Sequence, residues 1–227
     1  MGSAVLYNCP GSFDACSFHQ TSTAMTRMHK ISWWLKIPYT LYVCVLVPVY
    51  WINLGPQNFL WGCDIALLAT LVAIWLENRF IASTMAVAII IPELIWNLGF
   101  FSRLVTGHDV IGLALTEYMF SNDIPRLVRG LSLFHVFLVW VLIWLLHRLG
   151  YDRRALWAQT LITWIVLPVS YGFTDPSRNI NFVFGFEGTR DIFSSGPLWV
   201  ALLMMTMPLL VYLPTHLVLK RIFSPHR

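Results

Sequence analysis

From Ile31 onward the chain passes through one apolar run after another, each near the length that crosses a bilayer, with short polar breaks between. A spanning helix needs about 20 mostly apolar residues, because the hydrocarbon core is about 30 Å thick and each helical residue rises 1.5 Å. Runs at 31–53, 58–76, 80–101, 130–149, 155–172 and 197–223 qualify. They predict an all-α polytopic transmembrane bundle of six spans. Segment 110–120 is too short and polar to span, and is expected as an interfacial or re-entrant helix between spans 3 and 4. Composition agrees: 57% of the 227 residues are hydrophobic and 11% charged, against about 45–50% and roughly 25% in a soluble domain. So few charges cannot cover a water-facing surface. A disordered chain is excluded by the same figures. The 11 Trp and 15 Phe suit interfacial aromatic belts.

The excess positive charge, +4, is scattered over short segments with no basic run. Nucleic acid is therefore not an expected partner; the bilayer is. Cysteines at 9, 16, 44 and 63 form no CxxC or Cys–His spacing, so neither a zinc motif nor a disulfide framework follows. Residues 1–30 lack a long apolar run. They read as a disordered cytoplasmic tail, or as sequence upstream of a start at Met25 or Met28. A signal peptide would need an apolar h-region, and myristoylation would need Ser or Thr where Leu6 stands.

Basic residues set the expected orientation. Arg27, Lys30, Lys36, Arg79, Arg148, Arg153, Arg154, Lys220, Arg221 and Arg227 fall on one side of the six-span layout; Arg103, Arg126, Arg129, Arg178 and Arg190 fall on the other. The richer side holds both termini, so both are expected in the cytoplasm, with the protein in a bacterial inner membrane.

A charge at the bilayer centre costs at least about 2.5–3.5 kcal/mol, so ionisable groups within spans are functional candidates. Three stand out: Asp64, Glu93 and His135. Helical rise puts them about 9, 12 and 8 Å from the outer ends of their runs, and Asn97 about 6 Å. Separate helices thus bring polar groups to one depth in the outer half, as an outward-facing pocket requires. Glu93 and Asn97 share a helix face at i, i+4, as do Trp61 and Asp64 at i, i+3. Pro92 frees the carbonyl of Ala88, and such kinks often line cavities. The alternative reading is that each buried acid ties helices together. No comparable set is expected in the inner half.

The last outer loop carries Thr174-Asp175-Pro176, which resembles a helix start, then Asn179-Ile180-Asn181-Phe182-Val183-Phe184-Gly185-Phe186. This stretch is too apolar for a wet loop, and either folds back to cap the pocket or lays its aromatics on headgroups. The pocket set is then Asn58, Asp64, Glu93, Asn97, His135, Tyr171, Asp175, Asn179 and Asn181. Arg103 and His108 form a second tier; Arg103 and Arg178 are expected either to hold a lipid phosphate or an anionic substrate or to anchor on headgroups.

The strings NFLWGCDIALL (58–68), PELIWNLGFFSRLVTGH (92–108), RGLSLFHVFLVW (129–140), LGYDRRA (149–155) and FTDPSRNINFVFG (173–185) resemble an uncharacterised family of bacterial multi-pass membrane proteins. The resemblance implies a fold class and no activity. The layout is also remotely similar to the androgen-induced hydrolases of fatty-acid esters and to the acyltransferase family around transmembrane protein 164. Those pair a Thr or Cys nucleophile with an intramembrane His, roles that Cys63 and His135 match in type.

Four functions follow from these residues. A lipid- or partner-binding module would use the pocket as a polar socket. A lipid hydrolase or acyltransferase would use His135 as base, Asp64 or Asp175 as its orienting acid, and Cys63, Thr174 or a water as nucleophile. Cys63 and Asp64 are expected to point about 100° apart on a helix, which weakens Cys63. A metal site is open to Asp64, Glu93, His108 and His135; no cofactor is named by a motif. A small-solute transporter would need polar groups nearer the midplane, and no inverted repeat is visible.

Overall fold

The computed structural model describes residues 31–112, 115–185 and 196–223. The expected tail, residues 1–30, lies outside them. Among the described residues the chain is all-helical, with no strand. The helices are α1 Trp33–Leu54, α2 Gly62–Leu76, α3 Arg79–Thr106, α4 Arg126–Leu131, α5 Phe134–Leu149, α6 Ala155–Phe173, α7 Gly196–Thr206 and α8 Leu213–Phe223, the last two joined by a π-helical segment Met207–Tyr212. Among the described residues five stretches are long and apolar enough to cross a membrane: α1, α3, α4 with α5, α6, and the run Gly196–Phe223.

Helix α2 departs from the expected span at 58–76. It has 15 residues, about 22 Å at helical rise, and does not reach the length of a span alone. The reason is local. Gly55 sits at φ 76 and Trp61 at φ −58, ψ 135; between them Pro56–Leu60 is a separate 3-10 turn.

Helix α3 is the hub, packed against α2, α5 and α6. Its inner face carries Ala82, Ser83, Thr84, Ala86 and Ala88, all buried. Small side chains let neighbouring backbones approach closely, which is how helices pack where no hydrophobic drive exists between them. Leu138, Leu142, Leu145 and Leu146 of α5 belong to the same core. Asn78 caps α3 by accepting from the N–H groups of Phe80 and Ile81, at 2.9 and 3.2 Å. Gly107, at φ 77, closes its other end. The outer faces are apolar: Trp34 is 90% exposed, Val105 82% and Ile52 80%. A water-facing surface would not display them so densely.

Helices α4 and α5 are one run broken at Ser132 and Leu133. At the break the His135 N–H bonds to Ser132 O, so Leu131 O loses its helical partner. The Tyr42 hydroxyl of α1 donates to that oxygen instead. On the other side, segment 180–185 is pinned to α6 and α7 through Val183, Leu167, Trp199 and Leu203, and Trp199 Nε1 donates to Phe182 O at 2.8 Å.

Two further expectations change. No helix starts at Thr174-Asp175-Pro176: Thr174 ends α6 in extended geometry, and Asn179, Asn181 and Phe182 adopt positive φ, which interrupts any right-handed helix. In segment 110–120 the structure places only a 3-10 turn, Glu117–Met119, among the described residues. Asp109 and Thr116 lie against α3 at Gly99, where a Cβ would meet Asp109 Oδ1 at 3.2 Å and Thr116 Cγ2 at 3.6 Å.

Candidate functional site: a cavity between α2, α3, α6 and the π segment

A cavity of about 770 Å³ opens inside the bundle. One end is polar. Glu93 Oε2 lies 2.7 Å from His135 Nδ1. Glu93 follows Pro92 within α3 and His135 comes from the first turn of α5, so the break at Ser132 and Leu133 is what delivers the imidazole. The ring is clamped between Trp96 and Phe134, with centroids 4.4 and 4.1 Å away. Asn97 Nδ2 donates to the carbonyls of Glu93 and His135, at 2.8 and 2.9 Å. Asn97 thus ties α3 to α5 behind the pair and does not line the cavity.

Helix α2 supplies the opposite wall. Asp64 stands in its first turn, where the helix N-terminus favours a carboxylate, and Asp64 Oδ2 accepts from Asn58 Nδ2 at 3.2 Å. Cys63 stands beside it, its thiol donating to Asp64 Oδ2 at 3.9 Å. Its Sγ, with single donor atoms of Glu93 and His135, forms a set lying within 4.8 Å of one another. The roughly 100° between neighbouring residues therefore does not exclude Cys63: the cavity wraps around the first turn of α2 and meets both side chains. Glu93 is 2% exposed and Asp64 3%; Glu93 Oε1 and Asp64 Oδ1 have no hydrogen-bond partner among the described residues.

Segment 179–182 closes this end. Asn181, at φ 53, accepts from Gly62 N–H at 3.0 Å and donates to Leu60 O at 2.8 Å and Ser170 Oγ at 3.1 Å. It joins α2, α6 and its own loop through one side chain. Asn179 folds its segment inward: Nδ2 donates to Gly185 O at 2.7 Å, and Oδ1 accepts from Phe184 N–H at 2.9 Å. Asn179, Asn181 and Phe182 line the cavity, while residues 186–195 lie outside the described set.

The rest of the expected set falls elsewhere. Asp175 is exposed, and its carboxyl is held below the ordinary carboxylate range by the Ser177 side chain and backbone N–H. Its own N–H donates to Gln57 Oε1 at 2.9 Å; it neither lines the cavity nor touches His135. Asp64 is directed to Asn58, so the acid on His135 is Glu93 instead of Asp64 or Asp175. Tyr171 packs its ring on Phe184, centroids 5.1 Å apart, outside the cavity lining. Arg103 pairs with Glu117 at 3.4 Å and lies 5.4 Å from the Phe120 ring. His108 is exposed, which removes it from any common metal set.

Sequence reasoning missed part of the lining. Tyr50 pairs with Ser132 across 2.7 Å; in an apolar run a tyrosine reads like any belt aromatic. Trp96 stands at i+3 from Glu93, a spacing that would have placed it on the same face. Gln159, Thr163 and Tyr212 form a second polar group, with Gln159 Nε2 donating to Thr163 Oγ1 at 3.2 Å and Thr163 Oγ1 2.7 Å from the Tyr212 hydroxyl. They line the same cavity near the start of α6, so polar groups are not confined to the half that holds Asp64. Their i, i+4 spacing on α6 was the available signal. Comparison with known protein families, characterised proteins and solved structures finds no match for this chain.

Proposed function

We propose that this chain is a multi-pass membrane protein that holds a lipid acyl chain in the cavity, with the lipid's polar end against Asn58, Asp64, Glu93 and His135. The observation that carries the reading is the mixed lining of the cavity. Apolar Met85, Ala88, Ile89, Ile162 and Val166 line it together with the two polar groups. On α3 the lining runs from Met85 to Trp96, about 16 Å at helical rise. Moving an acyl chain from bilayer to cavity gains little, since both are apolar. Selectivity therefore rests on the polar end, where a buried group left unpaired costs about 1–3 kcal/mol.

In the same reading α2 and the Pro56–Leu60 turn together make a sixth crossing, and both termini are cytoplasmic in a bacterial plasma membrane. Lys36, Arg79 and Arg154 cluster with Glu77 and Asp152 at one end of the helices, matching the positive-inside asymmetry, and the Asp64 end then faces outward. A reporter fused to the C-terminus should remain cytoplasmic; an external reporter overturns this topology.

Native mass spectrometry of the chain released from mild detergent tests the binding reading. A bound lipid should survive in the wild type and disappear in Ala88→Trp, which fills the middle of the cavity. Equal lipid occupancy in the two proteins would refute it.

A hydrolase or acyltransferase is the second reading, favoured by one geometry: Cys63, His135 and Glu93 converge as nucleophile, base and orienting acid do. Glu93 here takes the part expected of Asp64 or Asp175. An acyl-thioester on Cys63, trapped from a lipid ester and absent in His135→Ala, is its expected mark.

A further inference from the structure

The three side chains that meet at the polar end differ in kind: one thiol, one imidazole, one carboxylate. We propose that Cys63, His135 and Glu93 form a binding site for a divalent cation of the zinc class.

Distance supports this first. Single donor atoms from the three residues lie within 4.8 Å of one another. Ligands on a tetrahedral zinc, with bonds of about 2.0–2.3 Å, are about 3.6 Å apart, so side-chain rotations of about 1 Å close the set. The tightest pair, Glu93 and His135 at 2.7 Å, opens slightly when a cation replaces the proton they share.

Charge supports it independently. Glu93 and Asp64 are both buried, and each has one carboxylate oxygen, Oε1 and Oδ1, without a partner among the described residues. Buried carboxylates are normally paired, protonated or bound to metal. A divalent ion balances the Glu93 carboxylate and the Cys63 thiolate, ligands that bind in their deprotonated forms. Asp64 Oδ2, 3.9 Å from Cys63 Sγ and held by Asn58, is a positioning carboxylate beside the ion.

Donor type selects the metal. Thiolate and imidazole suit zinc and its neighbours, while magnesium and calcium prefer all-oxygen shells. Three protein ligands leave a fourth position, which faces the cavity. Structural zinc sites close that position with a fourth side chain, and catalytic ones leave it for water or substrate.

The test uses the full chain in detergent micelles, loaded with zinc chloride and then dialysed, with zinc measured by elemental analysis. About one zinc per chain is expected. Cys63→Ser and His135→Ala should lose it, Cys44→Ser should keep it, and Asp64→Asn should weaken binding about 10- to 100-fold. Loading with cobalt supplies a readout that folding alone does not move: thiolate-to-cobalt absorption, present in the wild type and absent in Cys63→Ser. Retention of metal or of that absorption in Cys63→Ser means an adventitious ion only and overturns the site. So does a wild type that stays metal-free with Cys63 open to alkylation. Lipid retention in the wild type, measured on the same preparation, reports the lipid reading separately, so this site can fail while that reading stands.

Discussion

Glu93 Oε2 and His135 Nδ1 lie 2.7 Å apart although 42 residues separate them in the chain. The pair is enclosed, with side-chain exposures of 2% and 11%, and it joins α3 to α5 where α5 begins. Removing one partner of a buried pair strands the other, at a cost of about 3–5 kcal/mol. Glu93→Leu and His135→Phe should each destabilise by about that much, and the double variant by less than their sum, with a coupling of about 0.5–3 kcal/mol. Unfolding in detergent measures the cycle. Strict additivity would show that the pair does not act as a unit.

Asn181 links three parts of the cavity wall through four atoms' worth of side chain. Asn181→Ala should lower stability by about 2 kcal/mol, since it leaves a helix N-terminus uncapped and buried groups unpaired. Asn181→Asp keeps the acceptor for Gly62 N–H and should lose less. Thermal melts of the two variants compare them; equal losses would mean that the bond to Gly62 contributes nothing.

Glu77 ends α2 in the left-handed region, φ 49, ψ 40. Its Oε1 accepts from Ile31 N–H at 3.0 Å and from Lys36 Nζ at 2.9 Å. Glu77→Ala forfeits these bonds and keeps the strained backbone. Glu77→Gly forfeits them and sheds strain of about 1 kcal/mol. The glycine variant should therefore be the more stable of the two, and the reverse order in thermal unfolding would contradict the assignment.

Asp152, between α5 and α6, is held below its ordinary value of 3.8 chiefly by the Arg154 side chain, whose Nη2 and Nε donate to it at 2.9 and 3.1 Å. A depressed carboxylate contributes stability that is fully present above its unfolded value and is lost as pH falls through the folded one. Melting temperature should therefore drop as the medium is taken from about pH 6 to about pH 3, and Asp152→Asn should flatten part of that drop. Identical pH profiles would refute the link.

The apolar runs made the helical class and most spans legible, because hydropathy over about 20 residues reports a bilayer-length helix directly. They did not show that α2 is short, since residues 58–61 carry the apolar run while lying in the 3-10 turn and its cap. Depth arithmetic brought Asp64, Glu93 and His135 toward one level, and the structure gathers them at one cavity. Rotation about each helix axis was beyond it. That angle decides that Asn97 serves as a brace and that Cys63 shares the site. Asp175 was misplaced because α6 ends at Thr174 in extended geometry, which leaves Asp175 exposed and which no periodicity encodes.

Photolabelling in lipid nanodiscs asks whether an acyl chain enters the cavity. A phospholipid with a diazirine on its acyl chain should leave adducts on cavity residues such as Met85, Ile162 and Leu203, as well as on the exposed belt residues Trp140 and Trp157. Ala88→Trp should remove the first group and keep the second. Adducts confined to the outer belt in the wild type would contradict the account.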